Sequence, residues 1–371
     1  MKKLGNLVQE THPNVTKLIE DKRFCDDIAD SKASLAECQL EAKQADEVFS
    51  MVGLKCKSWN FSGQDPDEKS TKDGVSLGVG GFKWLTKLDL IIVKIPPLHF
   101  AQKRRGKLPE GTQFFTDNDT SHMETFVPEN LSRKMVSSKY ASIFDFTGKL
   151  GPVLAEAKDL LRQTVIATPD WTSPMPEELR SRWIKQFQTW ERLRGLQFSR
   201  AVMPDDAVDS KLRIIAKADF SLQMHVMGTW GGFRRKNGQW SCSHLLSRNL
   251  LAEKNATIPK GELQSLANVS NLCWLVRKLL TDWVDDYVVC GDSIIALCWV
   301  SSEKKSLSMF HRNRVIQIRR GTDLSRMFHV ITEENLADLG TRPEKVKITD
   351  VGPESECECG KDWMKAISMQ L

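Results

Sequence analysis

The chain has 371 residues and a formal net charge of +5; 40% of its residues are hydrophobic and 27% are charged. This composition excludes an intrinsically disordered chain and predicts two or three folded domains. The N-terminus lacks the apolar run of a signal peptide, and the most apolar stretch, Leu88–Leu98, is far shorter than the roughly 20 residues that span a bilayer. The nine cysteines show no C-x-x-C spacing, which favours reduced thiols. We therefore expect an intracellular protein, cytoplasmic or nuclear, with no membrane partner.

The first half of the chain contains mostly helical patterns. A helix is predicted from Ser34 to Val52, with Ser34 as N-cap and Glu37 as its capping-box partner. The β-branched run Leu88–Ile95 predicts a strand, and the basic run Lys103–Lys107 is either solvated surface or a phosphate contact. Apolar residues at helical spacing predict helices over residues 131–146 and 176–193.

From Lys211 onward the pattern changes to strands. Three runs, LRIIAKADFS, SLQMHVMGTWGGF and GQWSCSHLLS, predict successive strands, with RKNG as a hairpin turn. A long helix is predicted from Lys260 to Val284. It is followed by a strand (DYVVCGDS), two helices (IIALCWV and SLSMFHRNRVIQIRR), a strand (MFHVI) and a helical turn (ENLADLGTR). This order predicts an α/β fold with a mixed sheet and flanking helices.

Four acids stand where these strands and helices begin or end: Asp219, Glu262, Asp292 and Asp338. Carboxylate oxygens suit Mg²⁺, and a pair of such ions stabilises both the attacking water and the leaving oxygen of a phosphodiester. Each acid taken alone is better explained as a solvated surface charge or a favourable helix-end charge. The order and context of the four together predict that they converge on two divalent cations in one cleft.

Five segments resemble, in order, the ribonuclease H-like domain of BEL/Pao-type retrotransposon polyproteins: KADFS, TIPKGELQSLA, CGDSIIALCWV, FHRNRVIQI and FHVITEENLADLGTRP. The resemblance implies that the four acids are the catalytic residues and the ligands of two Mg²⁺ ions, with Mn²⁺ as a substitute. It also makes His329 a candidate accessory residue. The chain departs from the family at Phe220, where a small residue is common, and at Gly261, where leucine is commoner.

The upstream sequence resembles other parts of the same polyproteins. The segment VPENLSRKMVSSKYASIFDFTGKLGPVLAEAKDLLRQ resembles the connection between polymerase and nuclease, and PDWTSPMPEELRSRW the helix that follows it. RFCDDIADSKASLAE resembles the end of a reverse-transcriptase palm, in which Asp26 and Asp27 would bind metal at a hairpin, followed by a helix and a strand in VFSMVGLKCKSWN. Only 23 residues precede Phe24, too few for the fingers and the first half of a palm. We therefore expect that this chain does not polymerise by itself.

The resemblance implies four regions. Residues 1–115 would be a partial reverse-transcriptase palm, 116–205 a helical thumb or connection segment, 206–345 the ribonuclease H-like domain and 346–371 a C-terminal tail. The implied function is a Mg²⁺-dependent nuclease that cuts the RNA strand of RNA·DNA hybrids, which requires recognition of 2′-hydroxyls and contacts to phosphates. The candidates for the phosphate contacts are Arg312, Arg314, Arg319 and Arg320.

Two alternatives stay open at this point. In one, the fold persists as a non-catalytic remnant that binds nucleic acid or serves a structural role; in the other, the chain is a protein-interaction module derived from the connection segment. The four intact acids favour the nuclease, whereas the truncated palm and Phe220 favour the remnant. The expected partners are an RNA·DNA hybrid or another nucleic acid, and the remainder of a retroelement polyprotein.

Overall fold

The computed structural model describes residues 2–24, 27–102, 106–116, 119–303 and 307–342. The chain divides into two compact units, Met1–Lys94 with Gln197–Arg200, and Ile95–Leu196 with Ala201–Leu371. Asp26, residues 103–105 of the basic run and the tail at 346–371 lie outside the described residues. The domain boundaries expected at 115, 205 and 345 stay predictions.

The first unit combines short helices with two small antiparallel sheets. Its elements are α1 (Lys2–Val8), α2 (Pro13–Asp21), β1 (Arg23–Phe24), β2 (Asp27–Ile28), α3 (Leu35–Ser50), β3 (Leu77–Val79), β4 (Phe82–Leu85), β5 (Leu90–Val93) and β6 (Gln197–Ser199). Strand β1 pairs with β2, and the second sheet has the order β3-β4-β5-β6. Apolar side chains of the three helices pack into one core.

The first helix of the sequence prediction is confirmed, but the strand predicted after it is wrong. The backbone N–H of Glu37 donates to Ser34 Oγ at 3.3 Å, so Ser34 caps α3. Residues 51–76 are all described and contain no strand. Strands β3 and β4 were not predicted from the sequence; Gly80 and Gly81, both at positive φ, close their hairpin.

The second unit begins with helices. They are a 3₁₀ turn at Thr120–His122, α4 (Met123–Phe126), α5 (Arg133–Ser142), α6 (Gly151–Ala167) and α7 (Glu177–Leu193). Helix α5 ends at Ser142, four residues before the predicted end, because the Asp145 carboxylate accepts the backbone N–H groups of residues 148–150 at 2.7–3.0 Å. Those bonds fix the turn at residues 148–150 that leads into α6. Asp145 therefore belongs to this turn and not to the preceding helix.

The remainder of the second unit is built on a five-stranded sheet. Its elements are β7 (Leu212–Phe220), β8 (Met224–Arg234), β9 (Trp240–Leu251), α8 (Ile258–Leu279), β10 (Val284–Gly291), α9 (Ile294–Ser301), α10 (Met309–Gly321), β11 (Met327–His329) and α11 (Asp338–Thr341), with 3₁₀ turns at Leu324–Arg326 and Thr332–Glu334. The strand order is β11-β10-β7-β8-β9. Strands β7 to β9 form an antiparallel meander, and β10 and β11 run parallel to β7. The predicted α/β fold with a mixed sheet and flanking helices is confirmed.

Helices cover one face and one edge of this sheet. Helix α8 packs its apolar side across β7, and the shared core includes Ile214, Ala216, Leu263 and Ala267. The edge strand β9 is bound by the segment that starts α6: Asn249 Nδ2 donates to the Gly151 carbonyl at 2.6 Å, and Lys158 Nζ donates to the Asn249 carbonyl at 2.6 Å. A covered edge cannot pair with another strand. No helix in the described part of the chain is long and apolar enough to cross a membrane.

Candidate active site

Three of the four predicted acids meet where two parallel strands end and a helix begins. Asp219 lies near the end of β7, Asp292 follows β10, and Glu262 lies near the start of α8. Ala218 pairs with Gly291 across the two strands, so the residues that follow them leave the sheet side by side. A single pocket is lined by Ala218, Asp219, Phe220, Glu262, Ser265, Leu266, Gly291, Asp292, Ser293 and Ala296. The sheet topology thus places three acids from three separate elements in the lining of one pocket.

The fourth acid, Asp338, comes from α11, which is bonded to the end of β7 at two points. Before the helix, Asn335 Nδ2 donates to the Ala218 carbonyl at 3.0 Å. At the end of the helix, Thr341 Oγ1 donates to Asp219 Oδ2. Asp338 itself forms an ion pair with Arg342 at 2.8 Å. These bonds place the charge of Asp338 close enough to act on Asp219.

Burial and neighbouring charge make Asp219 hard to ionise. Burial raises the pKa of Asp219 to about 7, the Thr341 hydroxyl opposes that shift, and the charges of Asp292 and Asp338 add to it. Clustered carboxylates of this kind each disfavour ionisation of the others. A strongly perturbed carboxyl in a pocket is a typical feature of a functional site.

Glu262 is held by a hydroxyl from the neighbouring helix. Ser293 Oγ donates to Glu262 Oε2 at 2.5 Å and accepts the backbone N–H of Ala296 at 3.2 Å, which makes Ser293 the N-cap of α9. Burial raises the pKa of Glu262, while the Ser293 hydroxyl lowers it and the charge of Asp292 raises it further. One serine therefore orients an acid of the site and starts the helix beside it.

A buried polar chain beneath Asp219 was missed by the sequence analysis. Ser265 Oγ lies 3.1 Å from the Asp219 carbonyl and 2.8 Å from His225 Nδ1, and His225 Nε2 lies 3.3 Å from Glu253 Oε2. His225 and Ser265 are both almost completely buried. If the serine proton goes to the Asp219 carbonyl, Nδ1 of His225 carries a proton and donates to the serine. The available signal was a histidine inside the otherwise apolar run of β8.

His329, the candidate accessory residue, lies beside Asp292. Its Nε2 is 3.1 Å from the Asp292 carbonyl. Because a carbonyl only accepts, Nε2 carries the proton in this bond. Strand β11 also pairs His329 with Gly291. The ring therefore contacts the backbone of one acid and helps to hold its strand end.

The four candidate arginines lie in different environments. Arg314 Nε donates to Gln264 Oε1 at 2.6 Å, and its guanidinium lies over the Phe310 ring. Arg319 donates to the carbonyls of Val300 and Ser302 at 2.6–3.0 Å, so its guanidinium binds the C-terminal end of α9. Arg312 and Arg320 are exposed on α10.

Two further predicted residues belong to the first unit. Asp27 is exposed on β2, directly opposite Phe24 in the hairpin register. Asp26, its predicted partner in metal binding, lies outside the described residues. The hairpin expected at this Asp-Asp pair is therefore described only through its two strands.

The chemistry of the donor set fits a divalent cation. Within the described ranges, no group of three or more acids, histidines or cysteines stands close enough together to hold a metal ion. The pocket nevertheless gathers hard oxygen donors, and like charge from Asp292 and Asp338 contributes to the raised pKa of Asp219. A bound cation would offset that repulsion. Asp219, Glu262, Asp292 and Asp338 are the residues that could hold it.

Comparison with known proteins agrees with this topology. Residues 132–293 match the model of a family described as the Pao retrotransposon-like RNaseH-like domain. This range starts just before α5 and includes Asp219, Glu262 and Asp292, whereas Asp338 lies beyond it. No curated protein matches the sequence.

Similar solved structures include cellular and viral proteins. RNase H1 from the halophilic archaeon Halobacterium salinarum NRC-1 is 12% identical to this chain, with a TM-score of 0.22. The match covers 36% of this chain and 97% of the archaeal chain. The foamy viral protease-reverse transcriptase dRH in complex with double-stranded DNA is 9% identical, with a TM-score of 0.45. The match covers 89% of this chain and 48% of the viral chain. LC11-RNase H1 in complex with an RNA/DNA hybrid is 13% identical, with a TM-score of 0.21. The match covers 34% of this chain and 89% of the LC11 chain. This chain spans about half the length of the foamy viral chain. Residues 132–293 are therefore similar to a Pao retrotransposon-like RNaseH-like domain, and this range includes four of the five strands of the mixed sheet.

Proposed function

We propose that this domain is a divalent-cation-dependent nuclease that cleaves the RNA strand of RNA·DNA hybrids. The observation that carries the proposal is the convergence of Asp219, Glu262 and Asp292 on one pocket, with the charge of Asp338 acting on Asp219. This gathering of acids has a cost, because the charge of Asp292 raises the pKa of both Asp219 and Glu262. Binding of cations explains why such an arrangement is useful.

In this proposal the four acids hold two Mg²⁺ ions, and Mn²⁺ can replace them. When bound, such ions activate the attacking water and stabilise the leaving oxygen of a phosphodiester. The hydroxyls of Thr341 and Ser293 each bind one carboxylate oxygen and so orient Asp219 and Glu262. His329 keeps Nε2–H on the Asp292 carbonyl, which leaves Nδ1 as the ring nitrogen able to accept a proton.

The substrate would be held by cations on α8 and α10. Lys260 and Arg314 both lie over the Phe310 ring, and Arg314 also binds Gln264, two residues beyond Glu262 along α8. Positive side chains grouped in this way on α8 and α10 suit phosphate oxygens. Arg312 and Arg320 extend the positive charge along α10. Arg319 is the weakest of the four candidates for a phosphate contact, because backbone carbonyls already bind its guanidinium.

The proposal is tested by cleavage of an RNA·DNA hybrid by the purified chain, with and without Mg²⁺. Asp219→Asn and Asp292→Asn should each abolish cleavage and leave the fold intact, because an amide matches the carboxylate in shape but not in charge. Asp285→Asn is the matched control, since Asp285 is an exposed acid on β10. Equal cleavage by the wild type and both site variants would contradict the proposal. Hybrid binding without cleavage would instead support the non-catalytic remnant.

The reverse-transcriptase origin of residues 1–115 is a separate proposal. It rests on the β1–β2 hairpin, which carries Asp27, and on the helix that follows it. Asp27 is exposed, so Asp27→Asn should leave the fold intact. Primer extension by the wild type that is lost in Asp27→Asn would support the reverse-transcriptase origin, and extension that is equal in both would show that Asp27 takes no part in it.

A further inference from the structure

Phe220 and Gly261, each next in sequence to an acid of the site, touch in the structure. Phe220 is the last residue of β7, directly after Asp219, and Gly261 precedes Glu262 in α8. Phe220 is 7% exposed and Gly261 is buried. A Cβ placed on Gly261 would lie within 3.0 Å of three carbons of the Phe220 ring, closer than Cβ atoms approach other atoms. The ring therefore fills the space that a side chain at position 261 would need.

A histidine packs on the Phe220 ring. The ring centroid of His225 is 4.7 Å from that of Phe220. His225 is itself fixed by the bond to Ser265, one turn after Gly261 on α8. Phe220 thus lies between a hydrogen-bonded histidine and a helix backbone. In such close packing a change of volume is transmitted to the elements on either side.

We propose that Phe220 and Gly261 form a spacer that sets the separation of Asp219 and Glu262, the two acids next to them in sequence. The large ring on the strand occupies the space that the absent side chain on the helix leaves free. This inference rests on the proposed function, because it concerns the acids that would hold the cations.

The spacer predicts a reciprocal pattern in a double-mutant cycle of the full chain. Gly261→Leu should lower the Tm by overpacking, and Phe220→Ala should lower it by roughly 10 °C because it leaves a cavity. Each should also weaken Mn²⁺ binding, measured by calorimetry, by about tenfold or more, as is typical for residues that position metal ligands. The double variant Phe220→Ala/Gly261→Leu should recover most of both losses.

A matched control separates positioning from stability. Phe233 is a buried phenylalanine of β8 near the hairpin that leads to β9, away from the acids in the strand register. Phe233→Ala should lower the Tm in the same way as Phe220→Ala while leaving the Mn²⁺ affinity unchanged. The expected result is therefore a loss of affinity specific to the spacer.

The possible failures are distinguishable. Wild-type Mn²⁺ affinity in Phe220→Ala, despite a lowered Tm, would overturn the spacer and leave the proposed function standing. A double variant with a Tm and an affinity no better than those of the worse single variant would also overturn it. A wild-type chain that binds no Mn²⁺ and cleaves no hybrid would overturn the proposed function, and the positioning role with it.

Discussion

The side chain of Ser293 both starts a helix and orients an acid of the site. Its hydroxyl caps α9 and also donates to Glu262. Ser293→Ala should cost about 1 kcal/mol of stability through the lost cap, and it should weaken Mn²⁺ binding because Glu262 loses the donor that orients it. Calorimetry and thermal unfolding measure the two effects separately.

The control for Ser293 is Ser34, which caps α3 in the first unit and contacts no acid of the site. Ser34→Ala should lose a comparable amount of stability and no cation affinity. A Ser293→Ala variant that behaves like Ser34→Ala in both measurements would show that capping is its only role.

His244 on β9 is a buried base that should control stability in acid. Its ring lies beside Trp230, and burial, with a smaller contribution from the charge of Lys149, lowers the pKa of His244 to about 3. The unfolded chain therefore takes up a proton near pH 6.5 that the folded chain does not take up until about pH 3. As the pH falls through this range, the free energy of unfolding falls by up to about 1.4 kcal/mol per pH unit.

The test compares urea unfolding of the wild type and His244→Phe at several pH values between 7 and 4. The variant should lose stability less steeply on acidification, because it removes the buried base and keeps an aromatic ring beside Trp230. His122→Phe, at an exposed position, should keep the wild-type slope. Parallel slopes for the wild type and His244→Phe would contradict the assignment.

At the scale of elements, the turn before α6 fits against β9 so closely that it requires glycine. Gly148 has a φ of +80°, and a Cβ there would lie 2.6 Å from the Ser247 carbonyl oxygen. Gly148→Ala should therefore cost about 1 kcal/mol for the backbone conformation and a further 1–3 kcal/mol for the clash. Gly238→Ala is a matched control, because Gly238 has a φ of +82° with nothing near its Cβ position. Equal stability losses in chemical denaturation would show that the turn does not need this close approach.

Elements that are determined by residues close together in the sequence could be predicted, and elements that depend on distant contacts could not. The strands at 212–251 were predictable because β-branched and apolar runs are long and RKNG closes the hairpin. Strands β3, β4 and β6 have three or four residues each, too few for a periodic pattern. The early end of α5 depends on a side chain that bonds forward to the next helix, which a helical pattern does not register.

In the candidate site, too, some features could be predicted from the sequence and others could not. The acids could be named because they stand at the ends of predictable elements, and parallel strands bring such ends together. The contact between Phe220 and Gly261 could not be found from the sequence, because it joins a strand end to a helix start that lie far apart along the chain. Each residue taken alone therefore looked like a defect, and only the fold shows that one fills the space left by the other.

For the whole molecule, the net charge of +5 conceals a local excess of negative charge around Asp219. Unfolding moves Asp292 and Asp338 away from Asp219 and exposes its carboxylate to water, so both repulsion and burial favour the unfolded chain when no cation is present. Such a site lowers the free energy of unfolding of the cation-free chain and allows a cation to bind. The acids should destabilise the folded chain without the cation and stabilise it when the cation is bound.

Asp219→Asn tests this balance by thermal unfolding in a chelator and in Mg²⁺. In the chelator the variant should be more stable than the wild type by about 1 kcal/mol, or roughly 2–4 °C in Tm, because an amide keeps an acceptor for Thr341 without the charge. Mg²⁺ at 100 times its Kd should stabilise the wild type by about 2.7 kcal/mol and the variant far less. Asp285→Asn should follow the wild type in both conditions. A variant that is less stable than the wild type in chelator would show that the Asp219 carboxylate supports the fold, and that its burial is not a cost carried for cation binding.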